Sequence, residues 1–403
     1  MTKKLFLLAL AATVAVAQNV AILADGHVHV TNRVYWEGID PWKPQPTGDW
    51  DYARAKGAGI NFVIESVAPY GYQTYNTTVK QAGRLIETAL HVIDTHKDKV
   101  ELALTASDVR RIAAKGKMAV MLGIEAGFDQ EGDVDILRLW YRLGVRVIQF
   151  TSQNTNAFAD SGVRGGVKWH GINEKGRKLI AEMNRLGMLI DISHATEEGM
   201  LQIIEASNAP VVASHVAMRA ICDNPGNMTD AVLKALVAKG GMVGIHSSAD
   251  LISNKFYEWS KTHPATPVNG IDRTQILYAD LPLERARNDY GEYIEGIDKE
   301  LGGRWRQLYA KKWTEDPAAM PFVPTIDQWV DHVEHVAKIA GADRVALGMD
   351  ITNARSTLKG PDGRPIDSSS YQLIVTALRK RGLATPGILG ENWLKVLDRV
   401  QKK

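Results

Sequence analysis

Eight short apolar runs rich in β-branched residues, separated by longer amphipathic stretches, limit the folds open to this chain more than any other feature. They fall at residues 20–25, 61–66, 118–125, 145–151, 188–193, 211–215, 242–246 and 345–350. Each is apolar at consecutive rather than alternate positions, as suits a strand buried on both faces. Strands alternating with helical stretches argue for parallel βα units. Eight are the number a closed (β/α)8 TIM barrel needs, and 403 residues accommodate one with insertions.

The helical stretches carry their own signals. Residues 78–95 place Val79, Ala82, Leu85, Ile86, Ala89 and Ile93 on one face at a spacing near 3.6. Ser107 reads as the N-cap of a helix over 108–115, and 174–186 and 230–239 read as crossover helices. Gly116, Gly187 and Gly240 follow three of these stretches, where a left-handed turn favours glycine. A long excursion, Ser247 to Arg344 with its insertion at about 247–330, precedes the last strand. It is rich in Trp, Tyr and charge, with a helical-looking segment at 298–313. Topology puts it on the catalytic face, as a lid, a homodimer surface or a plain helical insertion.

Net charge is only +2, with no basic run interleaved with aromatics, which argues against nucleic acid or an acidic membrane as partner. Cys222 is the single cysteine, so no internal disulfide forms, and it reads as a packing residue. Lys3 and Lys4, the apolar stretch from Leu5 to Val14, and Ala15-Val16-Ala17 have the layout of a secretory signal peptide over 1–17. Residues 18–403 are then expected to form one exported domain, periplasmic or secreted. No other run is long enough to span a bilayer, so no stable membrane insertion is expected after cleavage.

The chemistry lies in where histidine and acid fall. His27 and His29, two apart at the end of the first strand, can face one point. Glu125 closes the third strand, His194 follows the fifth, His215 ends the sixth and Asp350 ends the eighth. Six metal-type side chains at C-terminal strand ends coincide with the mouth where barrel active sites form. A lone histidine at such a place is more often structural; six together are hard to obtain by accident. Imidazole and carboxylate without thiolate favour two divalent ions, zinc or similar. A glutamate between two ions would hold a bridging hydroxide as nucleophile, and Asp350 would carry the proton to the leaving amine.

The segments ADGHVHV, KDKVELALTASDVRRIAAKGKMAVMLGIEAG, LGMLIDISHAT, APVVASHVAMRAICDNP, HVEHVAKIAGADRVALGMD and GILGENWLKVL together resemble the renal or membrane dipeptidases, peptidase family M19 of the amidohydrolase superfamily. The resemblance covers most of the chain and implies a (β/α)8 barrel with a binuclear zinc centre that hydrolyses dipeptides. It places His27 and His29 on one zinc, Glu125 between the two, and His194 and His215 on the second. Asp350 matches the aspartate that contacts metal and handles the proton.

Three departures accompany it. The family's usual H-x-D is His27-Val28-His29 here. Its histidine after the fourth strand, which steadies the tetrahedral intermediate, falls on Ser152, or on Gln153 if the gap shifts. Its carboxylate-binding arginine is replaced by Gly226. Arg219, nearby in sequence, is a candidate substrate contact or an ordinary surface residue. His246, ending the seventh strand, either supplies the donor missing at Ser152 or is a hydrogen-bonded core histidine. The aromatic loop around Trp36 is expected to overhang the site as a substrate wall, with loop packing as the alternative. The chain thus reads as a zinc hydrolase cleaving a peptide or amide bond in a dipeptide or peptide-like substrate. The alternatives are a tailoring amidohydrolase on a modified peptide and a catalytically silent peptide-binding relative.

Overall fold

The computed structural model describes residues 20–45, 48–69, 75–125, 132–152, 155–163, 166–263, 319–351 and 358–401. The expected signal segment, Gln153 and the 298–313 segment lie outside these residues. Nine strands are described: β1 (Ala24–Val28), β2 (Phe62–Val67), β3 (Val100–Leu102), β4 (Met118–Ile124), β5 (Val145–Gln149), β6 (Leu189–Asp191), β7 (Val212–Val216), β8 (Met242–Ile245) and β9 (Val345–Leu347). All pairings are parallel, in the order β1-β2-β4-β5-β6-β7-β8-β9. Met349 N donates to Asp25 Oδ1 at 3.0 Å, drawing the chain after β9 back to β1 and nearly closing an eight-stranded barrel.

The helices between them are α1 (Val30–Glu37), α2 (Tyr52–Gly57), α3 (Tyr75–Thr95), α4 (Ala106–Ala114), α5 (Val134–Arg142), α6 (Glu174–Leu186), α7 (Glu197–Ala206), α8 (Asp230–Ala238), α9 (Ala249–Ile252), α10 (Asn254–Thr262), α11 (Ile326–Ala340), α12 (Tyr371–Lys380) and α13 (Asn392–Gln401). Gly116, Gly187 and Gly240 have φ of 74°, 71° and 81°, the left-handed turn expected where α4, α6 and α8 end.

One apolar cluster draws Ala24, Phe62, Ile64, Ala119, Met121, Val147, Leu189, Val212, Met242 and Ala346 from the eight barrel strands. Such a set meets only inside the barrel. Trp393, Leu394 and Leu397 of α13 join it, and Trp393 donates to Leu347 O at 3.0 Å. The alternate strand residues, such as Val63, Val120, Ile148, Ile190, Ala213 and Val243, pack outward among the helices. Both faces are apolar, which is why the sequence shows continuous rather than alternating runs.

Three expectations need correction. The first strand is Ala24–Val28, not 20–25, because Asn61 holds the lead-in: Leu23 N donates to its Oδ1 at 3.0 Å, and its Nδ2 to Ala21 O at 2.8 Å. The N-cap of α4 is Thr105, not Ser107. Its hydroxyl accepts from Asp108 N at 3.0 Å while Asp108 Oδ2 accepts from Thr105 N at 3.1 Å, a reciprocal box that fixes the start. The short β3, paired with the start of β4, had no separate signal. Of the long excursion, α9, α10 and α11 are described, and 264–318 fall outside.

Candidate metal centre

His27 lies within β1, and His29 is the residue that precedes α1. The first turn of α1 is held by β2 and its exit. Glu65 Oε1 accepts from Thr31 N at 2.8 Å, and Asn32 exchanges hydrogen bonds with Ala68 N and O. Glu65 Oε2 in turn accepts from Tyr52 at 2.8 Å, so this helix start is capped by a residue from another element. His29 Nδ1 lies 2.5 Å from Ser66 O, which turns its Nε2 toward the mouth.

Glu125 follows β4 directly, and its two oxygens face different partners. Oε2 lies 3.0 Å from His27 Nε2 and 2.9 Å from His29 Nε2. Oε1 accepts from Ser152 Oγ at 2.6 Å and lies 3.8 Å from His194 Nε2. His194 and His215 bring their Nε2 atoms to 3.0 Å. Asp350 completes the ring, Oδ1 at 3.7 Å from His29 Nε2 and Oδ2 at 3.2 Å from His246 Nε2. All six residues singled out at strand ends therefore converge, although they span residues 27 to 350 of the chain.

Two of these residues sit on strained backbone. Among the described residues, only His170, His194 and Asp350 have positive φ without being glycine, at 51°, 65° and 46°. Such conformations cluster where a site demands them. β6 ends at Asp191 and β9 at Leu347, so His194 and Asp350 stand three residues beyond the last paired position and reach the centre by a tight turn.

The electrostatics follow from burial and charge. Burial opposes ionisation of Glu125, but His29 and His27, by charge and hydrogen bond, outweigh it and hold the carboxyl well below its usual range. Burial likewise opposes charge on His29, yet Glu125, with Asp350 and Glu65, lifts it to about 9. Burial drives His215 strongly toward the neutral form and His194 in the same direction, reinforced by neighbouring imidazoles. Asp350 is pushed up by burial but held far below the ordinary carboxylate range by His246, His29 and His27.

The arrangement fits divalent ions. The ligand atoms of His27, His29 and Asp350 lie within 4.8 Å of one another, as do those of Glu125, His194 and His215. These two triplets share no member. Contacts of 2.9–3.0 Å among the His27, His29 and Glu125 atoms are slightly tighter than the edge of a zinc tetrahedron, about 3.3 Å for bonds of about 2.0–2.1 Å. Among the described residues, Asp350 Oδ1 is buried without a hydrogen-bond partner, as an oxygen meant for a cation would be.

The remaining candidates divide. Ser152 touches Glu125, so its single proton is committed there. His246 Nδ1 accepts from Ser248 N at 3.0 Å, which leaves the Nε2 proton directed at Asp350 rather than toward Ser152. Arg219 donates to Pro225 O and lies 3.4 Å from Glu197, on the loop that carries Gly226. Trp36 is only 2% exposed and packs edge-on against Tyr35, so it is an interior side chain and not a wall over an open mouth. Gln153 lies outside the described residues. Asp25, Asp191 and Ser214, beneath the histidines, had not been singled out. A sequence signal existed: Asp25-x-His27 and Asp191-x-Ser193 each place a carboxylate to accept the backbone N–H two residues on, at 3.1 and 2.9 Å.

A parallel barrel with imidazoles and carboxylates gathered at the C-terminal mouth defines a metal-dependent hydrolase. The chain belongs to the membrane dipeptidases, peptidase family M19, whose family model matches residues 12–403. It is 26% identical over 395 residues to dipeptidase tcpJ of Claviceps purpurea, covering 94% of this chain and 76% of that protein. Its fold is similar to that of the probable dipeptidase PvdM from Pseudomonas aeruginosa, with a TM-score of 0.71 at 20% identity over 95% of this chain and 96% of the other. It is also similar to a metallo peptidase from Rhodobacter sphaeroides solved with a phosphinate mimic of the dipeptide L-Ala-D-Ala. There the TM-score is 0.67 at 20% identity, over 94% of this chain and 99% of that one.

Proposed function

We propose that this hydrolase cleaves the peptide or amide bond of a dipeptide or small peptide-like substrate with two divalent ions, zinc being the best match to the ligands. One ion would be held by His27, His29 and Asp350, the other by His194 and His215, with Glu125 between them. The observation that carries this reading is the posture of Glu125, one oxygen turned to each histidine pair. Bound there, the ions supply an acidified water as nucleophile and polarise the scissile carbonyl.

The chain's own residues supply the rest. Ser152 fixes the rotation of the Glu125 carboxylate by donating to Oε1. His246 fixes Asp350 through Oδ2, and the carboxylate so held would take a proton from the attacking water and return it to the leaving nitrogen. Gly226 supplies no cation for a free C-terminal carboxylate, which favours substrates whose carboxylate is blocked or modified. The N-terminal pattern supports export, and cell fractionation that left the protein in the cytoplasm would overturn that part.

The test is metal counting on the purified protein, followed by a screen of free and C-terminally amidated dipeptides. About two ions per chain and turnover abolished by chelation are expected. Asp350→Asn should fold and lose hydrolysis; unchanged turnover in that variant would sink the proton role.

A further inference from the structure

β7 carries Ser214 immediately before His215, and the serine hydroxyl stands among three groups. It donates to Asp191 Oδ2, while His215 Nδ1 lies 2.7 Å and His27 Nδ1 3.2 Å away. The other carboxylate oxygen, Asp191 Oδ1, accepts from Ser193 N, Ser193 Oγ and Ser214 N at 2.9, 2.8 and 2.9 Å. A hydroxyl has one proton and two lone pairs. The proton is committed to Asp191, so both lone pairs remain for the two rings, and each ring must present Nδ1–H.

A neutral imidazole that carries its proton on Nδ1 has its lone pair on Nε2. Nε2 is the atom that each of these rings turns into the centre, His27 toward Glu125 and His29, His215 toward His194. The rings are stacked with centroids 3.7 Å apart and planes 28° apart, so one oxygen reaches both Nδ1 atoms from the same side. The serine is also held from behind. A Cβ at Gly244 or Gly348 would stand 2.0 or 1.7 Å from Ser214 O, so only glycine permits β8 and the turn after β9 to close on it.

We propose that Asp191 and Ser214 form one tautomer lock shared by both halves of the metal centre, making them positioning residues for His27 and His215 together. The inference rests on the two-ion reading of the cluster. Ser66 Oγ, 3.3 Å from His27 Nδ1, is a second partner for that ring alone, and His215 has no such reserve among the described contacts. The single hydroxyl therefore couples ligands that would belong to different ions.

The experiment compares wild type, Ser214→Ala, Asp191→Asn and Ser66→Ala by zinc competition against a chromophoric chelator. Histidine 15N spectra of the metal-free proteins provide a second readout. Ser214→Ala should weaken both ions by about 10- to 100-fold, the usual effect of losing a partner behind a ligand. Asp191→Asn touches neither ring, yet its amide nitrogen would donate into the hydroxyl and turn the serine proton onto one of them. At least one ion should then weaken comparably. Ser66→Ala should spare the His215 ion. In the metal-free wild type, His215 should show the Nδ1–H pattern, lost in Ser214→Ala.

Affinity within twofold of wild type for either ion in Ser214→Ala overturns the shared lock, as does a wild-type His215 protonated on Nε2. Should Ser214→Ala fail to fold, Asp191→Asn decides, and normal affinity for both ions in it refutes the proposal. A wild type that binds fewer than two ions would count against the two-ion reading instead, while the spectra of metal-free protein still judge the lock.

Discussion

Removing the imidazole of His246 isolates the contribution of one hydrogen bond to Asp350. Ser248 N donates to His246 Nδ1 at 3.0 Å, so the ring proton sits on Nε2, 3.2 Å from Asp350 Oδ2. The ring is buried, at 6% exposure, and no other hydrogen-bond donor to that carboxylate is seen among the described contacts. A hydrogen bond to a charged group contributes about 1.5–3 kcal/mol, and each 1.4 kcal/mol is about tenfold in rate. His246→Ala should therefore lower kcat by about 10- to 100-fold, with KM less affected because the bond orients the proton carrier rather than the substrate. His246→Gln, whose amide can donate toward the same oxygen, should recover part of the loss. The assay is steady-state hydrolysis of the best substrate from the screen, with metal content measured in parallel. A kcat within twofold of wild type in a fully loaded His246→Ala protein would show that the hydrogen bond to Asp350 does not support turnover. A variant that has merely lost an ion is identified by the metal count.

Stripping the ions should lower the melting temperature by several degrees, since ligand at about 1,000 times its Kd stabilises by about 4 kcal/mol. Zinc should restore it, and a melt indifferent to chelator would count against a resident metal. Stability should also fall in acid through His332, which is not one of the clustered ligands. Its Nδ1 accepts from Met218 N at 3.0 Å and its Nε2 donates to Ile252 O at 3.1 Å, and burial lowers its pKa from 6.5 to about 4. Between pH 6.5 and 4 the unfolded chain binds the proton and the folded protein does not. The contribution is complete above 6.5 and about 3 kcal/mol is lost as pH falls to 4. Denaturant melts of wild type and His332→Gln at pH 7.5 and 4.5 test this, and equal losses in both would exclude His332. His29→Asp should raise KM for a free dipeptide relative to its amide by about tenfold, the effect of one added negative charge about 7 Å away at an effective dielectric near 20 with partial screening. An unchanged ratio would show that site charge does not govern this choice.

The barrel was legible because its strands are buried on both faces, so eight apolar runs survive as unbroken signals. Their ends were less legible. Asn61 displaced the start of β1, and β6 and β9 stop at Asp191 and Leu347, so His194 and Asp350 reach the centre from turns with positive φ. Side-chain direction was hidden as well. His246 stands at a strand end as expected but spends its proton on Asp350, and Trp36 points into the interior. Asp191 and Ser214 belong to neighbouring strands, and nothing within either run announces that their side chains meet. Only the folded register, with Asp191 opposite Val212, brings the carboxylate to the hydroxyl.

Two departures from the family pattern bear on the same quantity with opposite signs. Histidine at position 29, where the pattern has aspartate, removes one negative charge from the ligand set. Glycine at position 226, where the pattern has arginine, removes one positive charge from the substrate side. With neutral imidazoles the six ligands carry only the charges of Glu125 and Asp350, so two divalent ions would leave the centre with a formal excess of two positive charges. An H-x-D centre would keep one. That surplus would lie at the bottom of a buried mouth, where screening by salt is weak. It would attract an anionic or electron-rich substrate group without an arginine to hold it, but a diffuse field lacks the directional fork by which a guanidinium selects a planar carboxylate. On the proposed two-ion reading, the pair of changes would exchange geometric recognition of a free C-terminus for general electrostatic attraction. That is the pattern expected of a hydrolase whose substrate presents its polar group elsewhere than at a dipeptide's carboxyl end.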